Sequence, residues 1–216
     1  MLIILFIYGA CMGSGLVALA DRYATHTSVF YPASHCDTCQ TPLVYWQLVP
    51  ILSYLLLRGR CHYCQAAIPA TSLLIEFIAG LVLTTLTPLT VIPVLWLGLW
   101  GYAALCDART QTFPGWVSWV AVPITLPMQS LTVVLITIAL LVGIHLLWSH
   151  FPNPPIGDGD LEIILSYHLL WGVTATAQWL LTASLMALIY SGIKIRSSFP
   201  FLPFLLTSAL AWWLFQ

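Results

Sequence analysis

Long apolar runs, broken by prolines and short polar links, make up most of this chain. Hydrophobic residues account for 60% of its 216 residues and charged residues for only 6%, whereas a soluble domain carries about 25% charged residues. The bilayer is therefore the solvent that this sequence fits. One span takes about 20 apolar residues, fewer where neighbours cover it, so the chain has room for about six to eight spans.

The apolar runs predict an all-α polytopic membrane protein with about eight transmembrane helices. Two runs, 72–106 and 161–193, are too long for one span, and Pro88, Pro93 and the small polar stretch from Gly172 divide them. The predicted segments are 1–20, 72–88, 90–106, 113–128, 131–149, 161–174, 177–193 and 199–215. We expect a first transmembrane helix at 1–20, a cysteine-rich domain at 21–71 and a helical core at 72–216, with no internal repeat.

The basic residues predict the topology, because positive charge near span ends marks the cytoplasmic side. They are Arg22, Arg58, Arg60, Arg109, Lys194 and Arg196. No basic residue precedes the first run, which is the reverse of a signal peptide, so we expect a retained span with its N-terminus outside. All the basic residues then fall in cytoplasmic connections, at 21–71, 107–112, 150–160 and 194–198.

Two CxxC pairs occur in the one sizeable polar segment. Cys36 and Cys39 form the first pair, Cys61 and Cys64 the second, and 21 residues separate the pairs. This is the spacing of a four-cysteine structural zinc site, and metal binding would supply much of the folding energy of so short a segment. The alternative is two disulfides, which a cytoplasmic location disfavours.

Acidic residues at the ends of apolar runs are candidates for function, because a carboxylate in a span is costly. Asp107 ends one run, and Asp158 and Asp160 come just before another. Two nearby carboxylates share a proton and can act as general base and general acid. Two alternatives remain open: Asp107 pairs with Arg109, or Asp158 or Asp160 caps the helix that follows.

Read in order, these motifs resemble the type IV prepilin peptidases, which are membrane aspartyl proteases. The resemblance rests on Gly13-Ser14 with Arg22, on Ser34 to Cys39, on Pro50 to Cys64, on Ile68 with Leu74 to Glu76, on Asp107 with Pro114 and on Gly157 to Asp160. The block from Pro50 to Cys64 is the most specific match. The last two motifs resemble the family's D-x6-P and GxGD patterns.

The resemblance implies an endopeptidase that removes the basic leader of a type IV prepilin or pseudopilin after a glycine. It assigns catalysis to Asp107 and Asp160, with Asp158 a neighbour, and places the active site on the cytoplasmic side of the bacterial inner membrane. It also implies a second activity, N-methylation of the new N-terminus from S-adenosylmethionine. The implied partners are the substrate helix and the lipid bilayer, and no nucleic acid is expected.

The chain departs from residues that the family often has at Gly15, Val17, Gly115 and Glu162. Both predicted catalytic acids remain, so these departures bear on the methyltransferase activity and not directly on cleavage. Presenilin-type and archaeal preflagellin peptidases share GxGD, but the four-cysteine domain favours the bacterial prepilin branch. The alternative from another functional class is a non-enzymatic polytopic membrane protein in which a zinc domain docks a partner.

Overall fold

The computed structural model describes residues 1–31, 33–148, 157–193 and 200–215. Within them the chain is helical and contains no strand, which confirms the all-α expectation. It divides into two compact units, Met1–Val94 and Leu95–Gln216. Parts of the predicted connections 150–160 and 194–198, including Lys194 and Arg196, lie outside the described residues.

The helices are α1 (Leu2–Ala24), α2 (Leu52–Leu56), α3 (Ala70–Thr84), α4 (Val91–Thr110), α5 (Trp116–Ala121), α6 (Leu131–Trp148), α7 (Asp158–Ile193) and α8 (Leu202–Leu214). Short 3₁₀ segments cover Tyr45–Leu48 and Pro123–Met128. Among the described residues, three stretches are long and apolar enough to cross a membrane: Leu2–Ala24, Val91–Thr110 and Gly159–Gly192. The count of eight spans stays a prediction.

Two predicted helices differ from those observed. The helix expected over 113–128 begins only at Trp116 and gives way to 3₁₀ turns at Pro123, because proline has no N–H for a helical hydrogen bond. The run 161–193 is interrupted only at Gly172, as a single kink with φ +79°. Glycine adopts this left-handed φ without steric cost. Helix α2 was not predicted.

In the first unit, α1 packs against α3 with the two backbones in contact. A Cβ on Gly9 would lie 2.8 Å from Gly80 Cα, and one on Gly13 would lie 3.1 Å from Glu76 Cα. Gly9 and Gly13 have the G-x-x-x-G spacing that allows such close approach between membrane helices. The pairing of these two helices therefore depends on the absence of side chains at both positions.

In the second unit, buried tryptophans join the helices through hydrogen bonds as well as packing. Trp96 Nε1 on α4 donates to Ser166 Oγ on α7 at 2.9 Å, and Trp179 Nε1 on α7 donates to the Leu205 carbonyl on α8 at 2.8 Å. Both of these indole N–H groups are satisfied, as is usual for buried tryptophan, whereas that of buried Trp100 has no partner within the described residues. The two bonds join α4 to α7 and α7 to α8.

We predict that Gly9→Leu or Gly13→Leu lowers the stability of the protein by about 1–3 kcal/mol or more, because overpacking forces the helices apart. Gly15→Leu is the matched control, since a Cβ on Gly15 meets nothing within 4 Å. Thermal unfolding in detergent, followed by circular dichroism, measures the difference. An equal loss at all three positions would contradict the backbone contact.

Candidate active site and metal site

Asp107 and Asp160 line the same cavity, which has a volume of ≈ 570 Å³. Asp107 lies in the last turn of α4 and Asp160 in the first turn of α7. Asp107 is only 8% exposed, and Asp160 is partly buried. The two carboxyl groups are close enough for the charge on Asp107 to act on Asp160. The structure therefore brings together the two acids that the sequence singles out.

The carboxyl group of Asp107 lies near the backbone N–H of Leu202, and both residues line the same cavity. Leu202 is the first residue of α8, and the first amides of a helix have no partner within it. The amino end of a helix also carries a partial positive charge that favours a carboxylate. Asp107 therefore lies at the end of its own helix and against the beginning of another.

The two structural alternatives for these acids fit the geometry less well. The guanidinium of Arg109 donates to the Leu105 carbonyl at 3.1 Å, within α4. The N–H of Asp160 donates to the Gly157 carbonyl at 3.1 Å, so Asp160 lies inside the first turn and past the capping position. The side chain of Asp158 lies outside the described part of the chain.

Among the described residues, the charged side chains that line the cavity are all acidic: Asp107, Asp160 and Glu162. Ser118 on α5 also lines it, is 6% exposed, and its hydroxyl has no hydrogen-bond partner within the described residues. Sequence reasoning missed Ser118, because a lone serine in an apolar helix carries no signal. The cavity offers two neighbouring carboxylates, a further hydroxyl at its wall and space for water or an extended peptide.

Gly159, directly before Asp160, makes room for an aromatic ring. A Cβ on Gly159 would overlap the ring of Phe113, which lines the same cavity. Phe113 in turn packs edge-on against Trp100, with ring centroids 6.0 Å apart. The ring therefore lies between α4 and the start of α7, next to one candidate catalytic acid. This contact explains why the residue before Asp160 is glycine.

The four cysteines of the CxxC pairs converge in the first unit. Their sulfurs all lie within 4.8 Å of one another, and the sulfurs of Cys36 and Cys64 are 3.8 Å apart. Sulfurs about 2.3 Å from a tetrahedral metal are about 3.8 Å apart, whereas a disulfide bond is about 2.05 Å long. All six cysteines are described, and none forms a disulfide. These four sulfurs could hold a metal ion.

The two CxxC pairs are built alike. Each pair is followed by a glutamine with positive φ, Gln40 at +58° and Gln65 at +59°. In the first, the Gln40 N–H donates to the Cys36 carbonyl at 2.8 Å, and in the second the Gln65 N–H donates to the Cys61 carbonyl at 3.1 Å. The signal in the sequence was the repeated C-x-x-C-Q pattern.

The pKa values of the clustered cysteine thiols show that a bound cation would stabilise the four sulfurs. Hydrogen bonds from the Thr41 hydroxyl and backbone N–H lower the pKa of Cys39 to about 6. A hydrogen bond from the Ala66 N–H lowers the pKa of Cys64, but burial and the other three cysteine sulfurs outweigh it and raise that pKa to about 11. The raised pKa reflects repulsion between neighbouring thiolates, which the positive charge of a metal ion would offset. A thiol that coordinates a metal is deprotonated outright.

The profile of the Bacterial Peptidase A24 N-terminal domain matches residues 7–88, which contain the four cysteines and α3. Three relatives carry the name prepilin leader peptidase/N-methyltransferase. The protein of Myxococcus xanthus is 35% identical over 79 residues, that of Neisseria gonorrhoeae 27% over 198 and that of Dichelobacter nodosus 27% over 208. The chain is similar to these prepilin leader peptidases over the stretches that match.

The matches to these prepilin peptidases cover 37%, 79% and 87% of this chain and 24%, 66% and 71% of the three relatives. The chain thus spans less than two thirds of the length of the first two. A stretch covering 87% of the chain includes both Asp107 and Asp160, so the similarity extends beyond the N-terminal part. No solved structure matches.

We predict that Gly159→Ala destabilises the second unit, because the new methyl group displaces the Phe113 ring; overpacking of this kind costs about 1–3 kcal/mol. Gly157→Ala is the matched control, since its Cβ would meet only the Asp160 carboxyl, at 3.6 Å. The double variant Gly159→Ala/Phe113→Leu should recover part of the loss. Thermal unfolding of all variants tests this, and a Gly159→Ala variant as stable as Gly157→Ala would contradict the contact.

Proposed function

We propose that this protein is a membrane aspartyl endopeptidase whose catalytic residues are Asp107 and Asp160. The observation that carries the proposal is their convergence on one cavity from the ends of two apolar helices. Family relationship supports it, because the relatives are named prepilin leader peptidases. The non-enzymatic alternative gives no reason for two carboxylates to share a cavity at that cost.

In the proposed mechanism the two carboxylates share one proton, because both cannot ionise cheaply at short range. The ionised member takes a proton from a water molecule, which attacks the scissile carbonyl carbon. The protonated member donates its proton to the carbonyl oxygen. Collapse of the tetrahedral intermediate then breaks the C–N bond, and the leaving amine receives a proton from the pair.

The proposed substrate is a type IV prepilin or pseudopilin, cut after a glycine between a basic leader and an apolar helix. The acidic lining of the cavity, from Asp107, Asp160 and Glu162, suits a segment with basic residues. The substrate helix would lie in the bilayer beside the enzyme. The relatives' name also pairs cleavage with methyl transfer, and we extend the proposal to N-methylation of the new N-terminus from S-adenosylmethionine.

We further propose a bacterial inner-membrane location with about eight spans, the N-terminus outside and the active site facing the cytoplasm. Three candidate spans in the described residues support a membrane location. The excess of basic residues in the predicted cytoplasmic connections supports the orientation. This topology puts both acids at the cytoplasmic face.

Zinc is the ion that we propose for Cys36, Cys39, Cys61 and Cys64, because four thiolates at tetrahedral distances are typical of structural zinc. All four positions of the ion would be filled by protein, which leaves none for a substrate water. The ion would therefore stabilise the fold of the segment and take no part in the hydrolysis.

We predict that Asp107→Asn and Asp160→Asn each abolish cleavage of a prepilin by purified protein in lipid vesicles, because a neutral amide cannot act as acid or base. Asp37→Asn, the same change in an acid that does not line the cavity, should leave cleavage unchanged. Mass analysis of the mature N-terminus reports cleavage and methylation together. Cleavage at the wild-type rate by either cavity variant would refute the proposal. If the wild-type protein cut preflagellin but not prepilin, the proposed catalytic acids would stand and the proposed substrate class would be wrong.

Elemental analysis of the purified protein should find close to one zinc per chain, and Cys36→Ser should lose most of it. Cys11→Ser is the matched control, because Cys11 lies in α1 and is not among the four converging sulfurs. Equal zinc content in both variants, or two intact disulfides in place of the metal, would contradict the proposed zinc site.

A further inference from the structure

Residues 44–56 carry an apolar surface that their position as a connection does not explain. The segment contains no charged residue, and eight of its 13 residues are large hydrophobic side chains that remain exposed. Tyr45 is 92% exposed, Leu56 74% and Trp46 45%. So many exposed apolar side chains in a short stretch mark an interaction surface.

A hydrogen bond fixes where this segment lies along the neighbouring helix. The backbone N–H of Ile51 donates to Glu76 Oε2 at 2.7 Å. Glu76 is 7% exposed and lies on α3, six residues after its first residue, Ala70. At 1.5 Å per residue this is about 9 Å along the helix. The segment therefore runs beside α3 and does not extend away from its end.

Helix α1 gives an independent measure of how deep Glu76 lies below the charged ends of the helices. Gly13 packs against Glu76, with 3.1 Å between a Cβ on Gly13 and Glu76 Cα. The first charged residue of α1 is Asp21, eight residues later, which corresponds to about 12 Å of helix. Glutamate side chains on α3 lean toward its N-terminus, so the amide of Ile51 lies somewhat shallower than the backbone of Glu76.

The surroundings at this level are apolar. Leu74 and Phe77, within one turn of Glu76, are 57% and 47% exposed, and where α3 lies in a bilayer they face lipid. Arg58 and Arg60, both exposed, follow the segment directly. Basic residues next to an apolar, aromatic-rich stretch are typical of the boundary between acyl chains and headgroups.

The backbone hydrogen bonds of the segment suit an environment with little water. Ile51 has φ +63° and ψ −54°, and the N–H of Leu52 donates to the Pro50 carbonyl at 2.6 Å, which makes a γ-turn. A β-branched residue with this φ is strained. Its amide would lack a partner in an apolar medium, where an unsatisfied group is costly, and Glu76 supplies one.

We propose that residues 44–56 form a membrane-interface segment, bound by lipid through its exposed apolar side chains and anchored at that depth by Glu76. The segment would lie flat about 5–10 Å below the surface, as amphipathic interfacial helices do. This changes the expected division of the chain, because part of the 21–71 connection becomes membrane-associated. The proposal needs α1 and α3 to lie in a bilayer and does not depend on peptidase activity.

Fluorine NMR of the full chain in lipid nanodiscs tests this directly. The protein is labelled with 5-fluorotryptophan, and Trp46→Tyr identifies the resonance of Trp46. A nitroxide placed high on the lipid acyl chain should broaden that resonance several-fold more than a water-soluble gadolinium chelate does. Stronger broadening by the gadolinium chelate would overturn the proposal, and so would protection from both probes, which would mean that protein covers the segment.

Substitution of Glu76 tests the anchor separately. Glu76→Gln keeps an oxygen that accepts the Ile51 N–H and should leave the Trp46 resonance close to that of the wild type. Glu76→Ala removes the acceptor and should increase broadening by the gadolinium chelate at least two-fold. Equal spectra for both variants would refute the anchoring role. Asp107→Asn should not alter the Trp46 resonance, so a failure of the catalytic proposal can be distinguished from a failure of the membrane-interface proposal.

Discussion

A carboxylate buried in an apolar helix is stable only where a donor or a partial positive charge reaches it, and two helices of this protein depend on such a contact. Glu76 on α3 accepts the N–H of Ile51, and Asp107 on α4 lies near the N–H of Leu202 at the amino end of α8. Each of these N–H groups is a backbone amide without an ordinary partner, one in a γ-turn and one at the start of a helix. The Ile51–Glu76 bond therefore removes the cost of an unsatisfied donor and of an unsatisfied acid at once, and the partial positive charge at the amino end of α8 favours the Asp107 carboxylate.

Close packing is the second constraint, and glycines mark where it acts. Gly9 and Gly13 let α1 touch the backbone of α3 at the level of Glu76, and Gly159 lets Phe113 touch the start of α7 beside Asp160. In both places a missing side chain lies next to a buried or partly buried carboxylate. With few charges available, the position of each acid is set mainly by the shape of the packed helices.

The sequence predicted the helical class, the convergence of the four cysteines and the two acids of the cavity, because each depends on a local pattern of composition or spacing. It could not predict that Glu76 accepts the Ile51 N–H or that Asp107 lies near Leu202, because both contacts join residues far apart in the chain. The prediction of one helix over 113–128 was wrong, because Pro123 ends the helical hydrogen bonding that an apolar run suggests. Ser118 had no pattern to distinguish it.

The position of the two acids at helix ends meets two opposing requirements of the proposed intramembrane hydrolysis. Two carboxylates share a proton most strongly where water is scarce, yet water is also the nucleophile. Near the middle of a span, Asp107 and Asp160 would lack that water. At the end of α4 and the beginning of α7, they line a cavity that is large enough for water and bounded by Phe113 and Leu202. The helix ends thus supply both the partial positive charge that favours the Asp107 carboxylate and the opening that the proposed hydrolysis needs.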